Sequence, residues 1–81
     1  MVDSLRERTH DVGVTVWVGK AGIDAVVEEL SGQLDDRELV KTKFLRAARG
    51  GATTEELAAD LAERTSAEVV ETRGHTAVFH R

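Results

Sequence analysis

The chain has 81 residues, 41% of them hydrophobic, with no cysteine and a formal net charge of −4. That composition excludes a disordered tail, a disulfide scaffold and thiol catalysis, and no apolar run approaches the ~20 residues that span a bilayer. One domain around one core is expected, and Met1 to Ser4 lack the basic start and apolar middle of a signal peptide, so a cytoplasmic location is expected too.

Residues 3 to 10 fit a short helix capped by Asp3 or Ser4, with Leu5 its only sizeable apolar side chain, and so weakly anchored and prone to fray. Val12, Val14, Val16 and Val18 alternate with Gly13, Thr15 and Trp17, the period of a strand with its valine face inward. Trp17 falls on the opposite face, where packing beneath a neighbouring helix or loop is the favoured reading over stacking on a base.

The run then ends in Gly19-Lys20-Ala21-Gly22 before a helical pattern begins. Two glycines three apart turn the backbone tightly and expose its N–H groups, and a helix starting near Asp24 would aim its positive end at the same spot. With Lys20 adding a full charge, the backbone N–H groups of Lys20 to Gly22 could hold an anion, a phosphate above all. A lone GxxG also fits an ordinary strand-to-helix turn, being short enough to recur by chance.

Ile23, Val26, Val27, Leu30 and Leu34 recur at three- and four-residue spacing, an amphipathic helix with Asp35-Asp36 marking its end or the turn beyond it. Val40, Thr42 and Phe44 alternate with Lys41 and Lys43, a second strand whose two lysines project together from the open face. They serve equally as edge protection or as ligand contacts. Arg46 to Ala52 reads as a loop with a Gly50-Gly51 tip, leaving Arg46 and Arg49 free to reach a phosphate.

Thr53 and Glu56 have capping-box spacing, and Leu57, Ala58, Leu61, Ala62 and Thr65 form the inward stripe of the helix that follows. Glu68 to Thr72 and Thr76 to His80 are two strands joined as a hairpin around Arg73-Gly74-His75. The order α-β-α-β-α-β-β predicts an α+β, two-layer sandwich: a mixed four-stranded sheet with its two main helices on one face.

Charge follows element type. Asp24, Glu28, Glu29, Asp35 and Asp36 occupy one block, and Arg37, Lys41, Lys43, Arg46 and Arg49 occupy the next against Glu38 alone. A net acidic chain argues against a nucleic-acid partner, but acid on helices and base on strands and loops permits a one-sided basic surface.

The element order, the run Val16 to Ile23, the stretch Glu38-Leu39-Val40-Lys41-Thr42-Lys43-Phe44 and the end Gly74 to Arg81 together resemble the CRM domain of YhbY-like RNA-binding proteins. The resemblance covers the chain from about residue 12 onward. It implies a fold similar to the C-terminal domain of bacterial translation initiation factor three. It also implies RNA binding through the GxxG loop and nearby basic surface, and work on ribosomal RNA or large-subunit precursors in ribosome maturation. Carried over, the loop is Gly19, Lys20, Ala21 and Gly22, and the strand lysines are Lys41 and Lys43. In an RNA binder Lys41, Lys43, Arg46 and Arg49 would track the backbone next to that loop. The segment Asp3 to Thr9 departs from the family's longer basic helix.

Three functions follow in order. The first is a non-catalytic binder of structured RNA without cofactor, with ribosomal proteins as further partners and no membrane. The second is a protein-interaction module that offers acidic helices to a basic partner. The last is an enzyme or metal protein built on His10, His75 and His80, which no motif supports: His75 and His80 are five apart, on opposite faces of a strand.

Overall fold

Alternating side chains from Val14 to Val18 build the first strand, β1, with Val16 and Val18 fully buried and Trp17 facing the other way. The computed structural model describes residues 7–81. The expected cap at Asp3 or Ser4 and the anchor at Leu5 lie outside the described residues. A 3-10 turn over Ile23–Val26 leads into helix α1, Val27–Asp36, and strand β2 follows at Val40–Phe44.

The expected loop after β2 begins instead with one helical turn, α2, Arg46–Arg49. Arg-Ala-Ala-Arg is made of strong helix formers, and Gly50 ends the turn in the left-handed region at φ 44°. Helix α3, Thr54–Thr65, starts from the expected capping box: Glu56 N–H donates to Thr53 Oγ1 at 3.1 Å, and Thr53 N–H donates to Glu56 Oε1 at 3.0 Å. The hairpin strands are β3, Glu68–Arg73, and β4, Thr76–His80.

The four strands lie in the order β1-β2-β4-β3, with β1 parallel to β2 and β4 antiparallel to both its neighbours. β3 therefore runs in the direction of β2 without pairing with it. Leu30 and Leu34 of α1 and Ala58, Leu61 and Ala62 of α3 meet Val16, Val18, Val40, Phe44, Ala77 and Phe79 in one core on one side of the sheet. Both phenylalanines are fully buried, and trimming either to alanine costs about 3–5 kcal/mol.

The opposite, open face is covered over part of its area. Thr9, in a 3-10 turn at Thr9–Asp11, is 1% exposed and its hydroxyl donates to Glu71 at 2.7 Å. Glu71 pairs in register with Val78, and Val78 with Lys41, so this contact lies away from α1 and α3, and Val78 is 2% exposed. Arg8 also pairs with Glu38. The described part of the N-terminal segment is thus docked on the sheet through Thr9 and Arg8. Among the described residues these two contacts run through carboxylates, Glu71 to Thr9 and Glu38 to Arg8.

Candidate functional site

Gly22 N–H donates to the Gly19 carbonyl at 3.0 Å and closes a tight turn. Neither Lys20 nor Ala21 has a positive φ, as in a type I turn with glycine at its last position. Gly22 itself takes φ 82°, ψ −177°, a combination open in practice to glycine alone. Gly19 carries no such demand: a methyl group there would stand 4.0 Å from Leu45 Cδ1, in ordinary contact.

This corrects one expectation, because the Gly22 amide is used inside the turn and is not presented to a ligand. Among the described residues the Lys20 and Ala21 amides donate to no acceptor. The helix mouth also differs. The chain enters α1 through the 3-10 turn, and the Asp24 carboxylate stands there paired with Arg64 of α3.

Strand register decides what stands beside the turn. Leu45 N–H donates to the Val18 carbonyl at 2.8 Å, and Phe44 N–H to the His75 carbonyl at 2.8 Å. The ends of β1 and β2, the start of α2 and the β3–β4 turn therefore meet at one end of the sheet. There Trp17 pairs with Lys43, Lys43 with Thr76, and Thr76 with Arg73, one row across all four strands on the open face.

Lys20, Lys43, Arg46 and Arg49 all belong to this end. Arg46 is exposed, while Arg49 is held: its Nη1 lies 2.7 Å from Nδ1 and 2.8 Å from Nε2 of His75. That corrects the reading of two free arginines. The buried Arg49 Nε has no hydrogen-bond partner among the described residues. Lys41 shares the open face with Lys43, but it is half-buried and paired with Val14 and Val78, one step toward the part that the N-terminal segment covers.

Trp17 is 54% exposed, so it is not packed beneath a helix or loop as expected. β1 is an edge strand, and the helices lie on the other side of the sheet.

Residues 2–81 match the CRS1/YhbY (CRM) domain. The chain belongs to that family. This CRM domain is 39% identical over 77 residues to "Probable RNA-binding protein MJ0652" of Methanocaldococcus jannaschii, a match covering 95% of the chain and 58% of that relative. The chain thus spans rather more than half of the relative's length. It is also similar to the solution structure of the hypothetical protein SAV1595 from Staphylococcus aureus, itself proposed to bind RNA. There the TM-score is 0.79 at 30% identity, over 99% of this chain and 82% of that one.

Ion pairing in the CRM domain separates two kinds of cation. Arg64 lies 3.1 Å from Asp60 and pairs with Asp24, and Arg81 lies 2.6 Å from Asp35, both on the helix layer. The hydrogen bond that Arg64 donates to Asp60, and then the nearby Asp24 charge, push the Arg64 guanidinium further above its already high range. Among the described residues no ion pair engages Lys20, Lys41, Lys43, Arg46, Arg49 or Arg73. Positive charges left together without acids make a local field that favours an anion.

Arg73 was not among the candidates drawn from the sequence. It reads there as a hairpin residue, and only the β2–β4–β3 register brings it into line with Lys43. Its Nη1 lies 3.1 Å from His10 Nδ1. Among the described residues no group of His, Asp and Glu side chains is placed to hold a metal ion, and no helix is long and apolar enough to cross a membrane.

Proposed function

We propose that this CRM domain binds structured RNA at the end of the sheet that carries the glycine turn. The observation behind this reading is the group of cations without acidic partners, Lys20, Lys43, Arg46, Arg49 and Arg73, around one turn and one sheet row. The Lys20 and Ala21 amides and the Lys20 ammonium hold one phosphate, and the other cations follow the backbone on either side. The names of the two relatives agree in pointing to RNA. Family resemblance extends the reading to ribosomal RNA or large-subunit precursors during ribosome assembly, and a non-catalytic role fits a site made of cations and amides.

The test is a salt titration of binding to a structured fragment of large-subunit ribosomal RNA. Affinity falls as salt rises, and Lys20→Glu weakens binding and lowers the salt slope by roughly 1 while leaving the fold intact. Equal binding by wild type and Lys20→Glu would show that the turn is not the contact.

A second reading rests on the helix layer, where Glu28, Glu29, Asp36, Glu55 and Glu63 are exposed and make no ion pair among the described residues. They suit a basic protein, such as a ribosomal protein, on the side away from the RNA. A complex with one that survives nuclease treatment supports this reading, and loss of the complex with the RNA removes it.

A further inference from the structure

We infer that the RNA held here includes an unpaired nucleotide, its base stacked on Trp17 while its phosphates meet Lys20 and Lys43. This rests on the RNA-binding reading and adds what kind of RNA the site selects.

The large hydrophobic side chains left exposed among the described residues are Trp17 at 54%, Leu45 at 40% and Val69. Val69 lies on β3, the far edge of the sheet, whereas Trp17 pairs with Lys43 and Leu45 follows two residues after Lys43, its N–H on the Val18 carbonyl. Leu45 extends the line of Lys41 and Lys43 along β2, and its Cδ1 is 4.0 Å from where a methyl on Gly19 would be, two residues beyond Trp17. An indole and an isobutyl group thus stand at the end of the sheet that also carries Lys20, Lys43 and Arg46.

The indole is not part of the hydrophobic core. Val16 and Val18 on either side of it are fully buried in the core, and Trp17 contributes its ring to the outer surface. A nucleotide matches the combination, since its base offers a flat apolar face and its phosphate a negative charge within one repeat of the chain. The Cα of Lys43 is one strand spacing away, about 4.8 Å, so ring and cation fall within the reach of a single nucleotide. In a continuous duplex the base faces are covered by their neighbours, so the ring selects a base swung out of the stack, at a bulge or loop.

Trp17 is the one tryptophan of the chain, which has no tyrosine, so its fluorescence reports on this ring alone. Two RNAs are titrated into the full chain: a blunt duplex, and the same duplex with an internal bulge of unpaired nucleotides. The bulged RNA is expected to quench Trp17 strongly and the blunt duplex weakly. Trp17→Ala is expected to lower affinity for the bulged RNA by roughly 5- to 100-fold and to leave the blunt duplex unaffected, with Trp17→Phe between. Far-UV circular dichroism checks that both variants keep their fold.

Equal affinity of wild type and Trp17→Ala for the bulged RNA overturns the stacking. If Lys20→Glu still weakens both RNAs, the RNA-binding site itself stands. Binding of neither RNA removes both proposals. Equal quenching by a polyglutamate peptide overturns the stacking in favour of an acidic protein partner.

Discussion

Replacing Gly22 by alanine isolates the backbone of the glycine turn from everything else at the site. A methyl group added there meets no atom within 4 Å, so the whole effect comes from forcing a side chain into φ 82°, ψ −177°. That region costs a residue other than glycine about 1–3 kcal/mol. Alanine also restricts the unfolded chain, which returns about 0.4–1 kcal/mol. The net loss is about 1–2 kcal/mol, a fall in Tm of roughly 5–15 °C for a domain of this size. Gly19→Ala is the control, having no positive φ and only the ordinary 4.0 Å contact with Leu45, so it is expected to be neutral or slightly stabilising. Urea unfolding followed by circular dichroism reads both variants, and the slope of the transition should not change. A Gly22→Ala protein as stable as wild type, or a Gly19→Ala protein that is the weaker of the two, would refute this account of the turn.

Two further perturbations test the scaffold. Thr53→Ala removes the cap of α3 and is expected to cost about 1 kcal/mol in urea unfolding. The hydrogen bond from the Thr53 N–H holds the Glu56 carboxyl below its ordinary value of 4.5. A group whose pKa is lower when folded stabilises above its unfolded pKa, and that contribution fades as pH falls through the lower, folded value. Glu56→Gln should therefore flatten the acid side of the stability profile, and an unchanged profile would count against the box. In the core, Thr42 is fully buried and its hydroxyl has no hydrogen-bond partner among the described residues. Thr42→Val keeps the shape, removes the unmatched hydroxyl and should raise stability by roughly 1 kcal/mol; a loss on calorimetry would show that the hydroxyl is satisfied.

Side-chain periodicity and capping rules were enough to set the strands around Val16, Phe44 and Phe79, the inward stripes of α1 and α3 and the capping box at Thr53. Each depends on residues within a few positions of one another, where covalent geometry fixes which way side chains point. The glycine turn and its lysine were legible for the same reason, as was the placing of Lys41 and Lys43 on one face. Folding decided the rest. It gave the Gly22 amide to the Gly19 carbonyl, set Arg49 against His75, left Trp17 in the open, placed Lys41 toward the covered part of the sheet, and brought Arg73 into line with Lys43. These outcomes turn on which strands become neighbours and in what register. That is settled by burying both helices against one side of the sheet and the N-terminal segment against the other, a competition among surfaces far apart in the chain that no local pattern encodes.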